Sequence, residues 1–297
     1  MDKPLVTNRA LLADALDGLR ARPKRMNPKW FYDHAGSALF ERITELPEYY
    51  PTRTELSILG TEVETLAACV PEGAAVIELG SGASTKTRIL LDALRGLGVY
   101  VPIDVSGEFL REVSRNLDRA YPHLRVAPLV GDFLGNLELP SETRGLPKVA
   151  FFPGSTIGNL EPAEAQDLLR RVRGWPYVSA FILGVDLAKD PETLLRAYDD
   201  AQGVTAAFNR NLLHRLNREA GGTFDVDAFD HEARWNAGLE RIEMHLVSRK
   251  EQEIVLGGAP ISFACGEPVL FIEIGEGGWR ARESSVESSS YTRSESS

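Results

Sequence analysis

Cysteine, net positive charge and long apolar runs are scarce in this chain. The two cysteines, Cys69 and Cys265, lie far apart and match no metal-ligand spacing, which predicts a reduced, cytoplasmic protein without a metal site. The formal net charge of −10 argues against a nucleic-acid partner, which usually requires a basic face. No apolar run reaches the roughly 18 residues of a membrane span, and the N-terminus lacks the apolar core of a signal peptide. We therefore expect a soluble protein without nucleic-acid or membrane partners.

Residues 74–185 alternate between short apolar strands and helices. A helix capped by Ser84, a second that begins at Ser106, and a third over Pro162–Trp175 separate the strands. The strands are predicted at Ala74–Leu79, Val99–Ile103, Arg125–Val130, Val149–Phe152 and Val178–Val185. Five strands separated by helices predict a parallel, doubly wound α/β sheet.

The pattern differs on either side of this region. Leucines at helical spacing predict an amphipathic helix over residues 8–22. After Asp190, two helices over residues 191–221 precede a run of alternating strands. These strands are predicted at Leu239–Val247, Gln252–Leu256, Ile261–Ala264 and Val269–Ile274.

We predict three parts from these patterns. A cofactor-binding domain spans residues 60–190, and a small, discontinuous α+β substrate domain combines residues 8–59 with 191–275. The tail, residues 276–297, ends in a stretch dominated by Ser, Glu and Arg. Such a composition offers almost nothing apolar to bury, so we expect the tail to be disordered.

A glycine-rich loop, Glu78-Leu79-Gly80-Ser81-Gly82, follows the first strand of the predicted sheet. Glycines at such a turn let the backbone approach a ligand closely, or serve only to make the turn tight. Asp104 ends the second strand, where a carboxylate can accept the hydroxyls of a ribose. Asp132 and Phe133 follow the third strand and could flank a purine. Together these strand ends predict a nucleoside cofactor.

The loop also favours one cofactor over another. A dinucleotide site usually has a third glycine, but Thr85 stands at that position. Glu78 would repel a pyrophosphate and tolerate a sulfonium with its ammonium group. S-adenosylmethionine is therefore preferred over NAD, and an NAD-dependent oxidoreductase is disfavoured.

Several segments resemble the histidine-specific N-methyltransferases, which make trimethylhistidine (hercynine) for ergothioneine synthesis. The resemblance covers about residues 26–268 and includes the glycine loop through Lys86 and Arg88. The other matching segments are Phe31–Glu55, Pro153–Asn159, Gly184–Asp190, Ala197–Asp200, Ala206–Asn211 and Glu240–Met244. The resemblance implies a class I methyltransferase (Rossmann-like) sheet joined to a substrate domain.

The resemblance also implies roles for individual substrate-side residues. Tyr32 would be the catalytic phenol that contacts the substrate amine. Asn159 and Tyr198 would hold the substrate carboxylate, with Gly154 in the same corner, and Met244 would pack against the substrate side chain. Simpler interpretations stay open: Tyr32 and Tyr198 as half-buried aromatics, Met244 as ordinary core, and Asn159 as a helix cap.

The resemblance further implies a set of residues around S-adenosylmethionine. Tyr49 belongs to this set, although it too could be a half-buried aromatic. The cofactor-binding residues are expected to be Phe40, Tyr49, Gly80, Gly82, Lys86, Asp104, Asp132 and Phe133.

The chain departs from the family near its C-terminus. After the Gly266-Glu267 turn, the family has a Thr-Glu-x-Ser segment whose Glu and Ser contact the substrate imidazole. Here Glu273 comes one residue late, and Gly275 stands where Ser is expected. Either a β-bulge restores the register of Glu273 as a substrate-binding residue, or imidazole recognition is impaired.

The family continues with a helix and two strands that complete the sheet. These strands are expected to be missing from this chain, as after a frameshift or other alteration near Pro268. The leading hypothesis is a monomeric N-α-methyltransferase that converts histidine to hercynine. The alternatives are the same chemistry on another amino acid, or a cofactor-binding protein with impaired catalysis.

Overall fold

The computed structural model describes residues 6–187 and 189–275, and of residues 272–275 the backbone alone. The predicted N-terminal helix is present, and the region after Asp190 contains the two predicted helices. The α-helices are α1 (Arg9–Arg20), α2 (His34–Thr44), α3 (Tyr50–Ala68), α4 (Thr85–Ala93), α5 (Gly107–Ala120), α6 (Pro162–Arg173), α7 (Pro191–Tyr198) and α8 (Val204–Glu219).

Most of the strands lie within a few residues of their predicted bounds. They are β1 (Lys24–Arg25), β2 (Ala75–Leu79), β3 (Val99–Asp104), β4 (Leu129–Val130), β5 (Lys148–Phe152), β6 (Val178–Leu183), β7 (Phe229–Asn236), β8 (Arg241–Ser248), β9 (Gln252–Leu256), β10 (Ala259–Phe263) and β11 (Pro268–Gly275).

The predicted doubly wound sheet is confirmed. Its five strands lie in the order β4-β3-β2-β5-β6, and every pairing is parallel. Strands β2 and β5 are buried along their whole length because helices cover both faces of the sheet. The third strand is shorter than predicted. Residues 125–128 add an isolated bridge between Val126 and Tyr100 rather than a ladder.

Strand β7 and the two-residue strand β1 were not predicted. The sequence Phe229–Asn236 carries four charged or histidine side chains and two aromatic rings, which obscures the alternation of a strand. It pairs with β8 in a four-stranded sheet of the order β1-β11-β8-β7, while β9 and β10 form a separate hairpin.

Helices α1 and α2 pack on the second sheet, whereas Leu59 of α3 is buried against the parallel one. One continuous buried cluster joins residues 11–49 to residues 194–271, with Phe31, Phe208 and Phe271 in ring contact at its centre. Burying such rings contributes on the order of 2 kcal/mol each to stability. The N-terminal segment is therefore held against the surface that carries α7 and α8. The predicted domain boundaries stay a prediction.

Strand β11 contains the β-bulge that the sequence left open. Leu270 pairs with His245 and Ile272 with Met244, so Phe271 is the extra residue. Beyond the bulge, Glu273 pairs with Glu243 rather than with Met244 or Ile242. The role predicted for the Glu273 side chain, and the predictions for residues 276–297, lie outside the described residues. No helix in the described ranges is long and apolar enough to cross a membrane.

Candidate active site

The glycine loop between β2 and α4 has the backbone conformation that its glycines allow. Gly80 and Gly82 have φ of +70° and +50°, in the left-handed region. Asp104, the last residue of β3, accepts hydrogen bonds from the Gly82 N–H at Oδ2 (3.0 Å) and from the Ser106 N–H at Oδ1 (2.8 Å). The predicted strand-end carboxylate is therefore fixed beside the loop, and burial raises its pKa.

Glu78 does not act on the ligand in the way we predicted. Its carboxylate is only 1% exposed and accepts hydrogen bonds from Thr87 Oγ1 (2.5 Å) and from the Tyr100 hydroxyl. Burial raises its pKa to about 7. Glu78 thus lies beneath the loop and ties it to α4 and β3, so the charge-repulsion argument against a pyrophosphate was wrong.

Ser84 was also misassigned as a side-chain cap. Among the described residues its side chain caps no helical N–H, and its φ is +54°. Its Oγ lies 3.2 Å from the Tyr100 hydroxyl instead. Ser84 therefore extends the buried network of Glu78 and Tyr100.

A cavity of about 160 Å³ lies between the glycine loop and the N-terminal segment. The structure brings six of the residues predicted for the cofactor together on its wall. They are Phe40, Gly80, Gly82, Asp104, Asp132 and Phe133. Residues that the sequence did not predict complete the wall, among them Asn27, Lys29, Glu41, Val105, Phe109 and Leu134.

The larger cavity fits an adenosine-type cofactor. On its wall, the Asp104 carboxylate has the chemistry to accept hydrogen bonds from ribose hydroxyls, and the Phe133 ring has the chemistry to stack on a purine. Asp132 accepts a hydrogen bond from the Leu134 N–H at Oδ1 (2.9 Å), and its Oδ2 lies 3.7 Å from Lys29 Nζ. The N-terminal segment therefore reaches across the cavity to the end of the third strand.

A smaller cavity of about 60 Å³ adjoins the larger one. Its wall contains the predicted substrate residues Gly154, Asn159, Tyr198 and Met244. Asn159 ends a 3₁₀ turn, Thr156–Asn159, and Glu161 precedes α6 instead. The interpretation of Asn159 as a helix cap was therefore wrong. Met244 is both part of the buried core and part of the cavity wall.

Tyr49, predicted for the cofactor, lies beside the residues predicted for the substrate. It lines the smaller cavity and, among the described residues, is absent from the wall of the larger one. Its ring meets the Tyr198 ring edge-on, with centroids 5.8 Å apart. Tyr49 directly precedes α3, which turns its ring toward α7.

Tyr32 stands between the two cavities and lines both. Its ring lies 5.7 Å from the rings of Phe40 and Phe208, and these two rings lie 6.0 Å from each other. Burial, and then the negative charge of Asp104, raise the pKa of Tyr32 well above its usual range. The phenol is therefore neutral at ordinary pH and sits at the edge of an aromatic wall.

Asp33 anchors the segment that carries Tyr32. Its Oδ1 accepts hydrogen bonds from the Gly36 N–H (2.7 Å) and from Asn211 Nδ2 (2.8 Å), and its Oδ2 accepts one from Arg218 Nη2 (2.6 Å). Asp33 thus caps α2 and joins that helix to α8. The position of Tyr32 follows from this attachment.

Lys86 does not line either cavity, in contrast to the prediction, as far as the described residues extend. Its Nζ pairs with Glu55 Oε2 at 2.5 Å. Glu55 Oε1 accepts a hydrogen bond from the Gly154 N–H at 2.6 Å. Lys86 therefore pairs with Glu55 of helix α3, and its Nζ also lies beside Gly154.

Several residues that line the smaller cavity were not predicted from the sequence. Phe208 and Thr205 lie on α8 inside or next to the matched segment 206–211, but neither was singled out. The sequence could have indicated both residues, because Thr205 and Phe208 are one helical turn apart and both lie on the buried side of α8. The missed lining residues are Ile43, Pro51, Ser155, Thr156, Thr205 and Phe208.

The fold and the two cavities define the class of protein. A parallel sheet in this strand order, with a glycine loop after β2 and a carboxylate at the end of β3, is the doubly wound fold that binds nucleoside cofactors, and class I methyltransferases share it. The smaller cavity beside the larger one is suited to the acceptor of a methyl group.

Comparison with known proteins identifies the family. A model described as "Histidine-specific methyltransferase, SAM-dependent" matches residues 11–274. Proteins named histidine N-alpha-methyltransferase from Mycolicibacterium smegmatis and Mycobacterium tuberculosis are 46% and 45% identical over 269 residues, covering 88% of this chain and 82% of each relative. Ergothioneine biosynthesis protein 1 of Neurospora crassa is 34% identical over 217 residues, covering 69% of this chain and 24% of that protein. The chain belongs to the family of histidine-specific, S-adenosylmethionine-dependent methyltransferases.

Proposed function

We propose that this protein transfers three methyl groups from S-adenosylmethionine to the α-amine of L-histidine and forms hercynine, the first step of ergothioneine biosynthesis. The observation that carries the proposal is the position of Tyr32, which lines both the nucleoside-sized cavity and the smaller one. Membership of the histidine-specific family supports the choice of amino acid.

The substrate would occupy the smaller cavity. Asn159 and Tyr198 would hold its carboxylate, and Met244 would contact its side chain. Gly154 and Tyr49 would close the same corner. In the larger cavity, Asp104, Asp132 and Phe133 would hold the nucleoside of the cofactor, between Gly80 and Phe40.

The reaction requires little acid–base chemistry from the protein. The bound cofactor supplies an electrophilic methyl group on its sulfonium. An amino acid ammonium has a pKa within a few units of neutrality, so its proton can pass to solvent before attack. Tyr32, as a neutral phenol, would accept a hydrogen bond from the amine and hold its lone pair toward the larger cavity. Orientation of this kind can supply several kcal/mol of the barrier reduction.

Repeated transfer places a growing methylammonium in the smaller cavity. Each added methyl group removes an N–H donor and leaves a larger cation. The three rings of Tyr32, Phe40 and Phe208 would stabilise that cation by cation–π attraction, at about 0.5–2 kcal/mol per well-placed ring. An aromatic wall of this kind favours continuation to the trimethylated product.

The proposal includes a cytoplasmic enzyme that acts as a monomer on a free amino acid. We also retain the proposed division into a cofactor domain, residues 60–190, and a substrate domain, residues 8–59 and 191–275.

The test is binding followed by product analysis. Calorimetry should show that S-adenosylhomocysteine binds, and that histidine binds in its presence. Mass spectrometry after incubation with S-adenosylmethionine should show species with one, two and three added methyl groups, all on the α-nitrogen. Methylation of another amino acid with histidine left unchanged would contradict the proposed substrate.

A further inference from the structure

A buried histidine lies behind the proposed carboxylate-binding residue Tyr198. The His231 side chain, on β7, is 2% exposed and does not line the smaller cavity in the described part of the chain. Its Nε2 lies 2.9 Å from the Tyr198 carbonyl oxygen, and its Nδ1 lies 2.8 Å from Asn209 Nδ2. The imidazole therefore connects three elements, because Tyr198 ends α7 and Asn209 lies on α8.

The chemistry of the two partners fixes the protonation of the ring. A carbonyl oxygen can only accept, so Nε2 must carry a hydrogen. In the neutral ring Nδ1 is then an acceptor, and the amide of Asn209 supplies its hydrogen. Burial lowers the pKa of His231, which keeps the ring in this neutral form near pH 7. Asp199 Oδ1, at 3.7 Å from Nε2, is too distant to compete for the hydrogen.

The Tyr198 carbonyl, which His231 contacts, lies at the end of a helix. The last carbonyl groups of a helix have no partner within the helix, and α7 ends at Tyr198. Residues 199–203 link α7 to α8. This link is fixed at its α8 end, where the Asp200 carboxylate accepts hydrogen bonds from the N–H groups of Val204 (3.0 Å) and Thr205 (2.7 Å). His231 thus contacts the near end of this link, at the Tyr198 carbonyl.

We infer that His231 is a positioning residue for the amino acid substrate: through the Tyr198 carbonyl it holds the Tyr198 phenol where the substrate carboxylate binds. The inference rests on the proposed function, in which Tyr198 contacts that carboxylate. We expect substitution of His231 to change the affinity for the amino acid and to leave cofactor binding unchanged. His231 contacts Tyr198, which lines the smaller cavity and, among the described residues, not the larger one.

Two amide substitutions separate the two hydrogen bonds of the ring. The amide nitrogen of glutamine is as many bonds from Cβ as Nε2 of histidine, so His231→Gln keeps a donor for the Tyr198 carbonyl. Asparagine matches Nδ1 instead, so His231→Asn reaches Asn209 and loses the contact to Tyr198. The matched control is His214→Asn, which changes an exposed histidine on α8.

Steady-state kinetics and thermal unfolding of the full chain test the inference. We expect His231→Asn to raise the KM for histidine about tenfold, the equivalent of one lost hydrogen bond. The KM for S-adenosylmethionine should stay within about twofold, and His231→Gln and His214→Asn should resemble the unsubstituted enzyme.

Three results would overturn the inference: an unchanged KM for histidine in His231→Asn, an equal rise in His231→Gln, or a parallel rise in the KM for the cofactor. An equal rise in His231→Gln, or a parallel rise in the KM for the cofactor, would indicate that the His231 ring contributes packing alone. If the unsubstituted enzyme binds the cofactor but does not turn over histidine, the proposed function fails and this inference fails with it. Normal turnover with an unchanged KM in His231→Asn would refute this inference alone.

Discussion

Glu55 Oε1 accepts a hydrogen bond from the Gly154 N–H at 2.6 Å, although 99 positions separate the two residues in the chain. The other oxygen of the same carboxylate pairs with Lys86 Nζ at 2.5 Å. Helix α3 is thereby joined to the start of α4, after the glycine loop, and to the loop that lines the smaller cavity. One carboxylate therefore supports both the Gly154 loop at the smaller cavity and the start of α4 beside the glycine loop.

The first prediction concerns this support. Glu55→Ala should lower kcat/KM by about tenfold to a hundredfold, since it leaves a backbone donor and a lysine without their charged partner. Glu55→Gln keeps an acceptor for Gly154 but not the charge, so its loss should be smaller. Kinetics with each substrate varied in turn measure both effects. Glu64→Gln, an exposed change on the same helix, is the control. Unaltered kinetics in Glu55→Ala would show that α3 needs no such link.

The second prediction concerns the phenol of Tyr32. Tyr32→Phe keeps the aromatic wall but removes the acceptor for the amine, so kcat should fall by about tenfold to a hundredfold while the KM for the cofactor changes little. Because the pKa of Tyr32 is raised, the wild-type kcat profile should show no phenol ionisation below about pH 10. The rise of kcat with pH should come from the substrate amine, and Tyr32→Phe should show the same rise. If the rise of kcat with pH disappeared in Tyr32→Phe, the phenol would instead be identified as the titrating base.

The third prediction concerns Asp33, which anchors the Tyr32 segment. Burial opposes the charge, but the hydrogen bonds from Gly36, Asn211 and Arg218 hold the pKa of Asp33 below its usual range. The stability that this carboxylate contributes is present above its unfolded pKa of roughly 4 and is lost as pH falls through the lower folded pKa.

Asp33→Ala should therefore reduce the free energy of unfolding by about 1–3 kcal/mol near neutral pH, and by less in acid. Urea denaturation at several pH values measures the difference. Asp17→Ala, an exposed change on α1, should have little effect. An equal loss of stability for Asp33→Ala at every pH would mean that the charge of Asp33 does not contribute.

The fourth prediction concerns Glu78 beneath the glycine loop. The pKa of Glu78 in the folded protein, about 7, lies above that of a free glutamate. Stability is therefore lost as pH rises from about 4.5 to about 7, because the unfolded state ionises more readily. Glu78→Gln removes this cost. The stability of Glu78→Gln relative to the wild type should therefore increase by about 3 kcal/mol between about pH 4 and about pH 8. A constant difference across this range would contradict the raised pKa.

The sequence predicted the parallel sheet well because its strands are short apolar runs separated by helical segments. Strand β2 and the carboxylate of Asp104 lie where the pattern placed them. The third strand was overestimated, because Pro128 has no N–H to donate and separates β4 from the isolated bridge at Val126. Strand β7 was missed, because charged and aromatic residues mask its alternation.

The site was harder to predict wherever a role depends on long-range contacts. Tyr49 and Lys86 were assigned to the cofactor from their motifs alone. The structure turns Tyr49 toward Tyr198 and pairs Lys86 with Glu55, contacts that join distant parts of the chain. Glu78 follows the same rule, since the pattern places it beside the loop but only the fold supplies Thr87 and Tyr100 as its partners.

The most direct test of this account is a single reaction of limiting histidine with excess S-adenosylmethionine and the purified protein. We predict that three equivalents of S-adenosylhomocysteine are released per histidine and that the product carries all three methyl groups on the α-nitrogen. Release of no more than one equivalent, or methyl groups on the imidazole ring, would contradict the placement of the amine beside Tyr32.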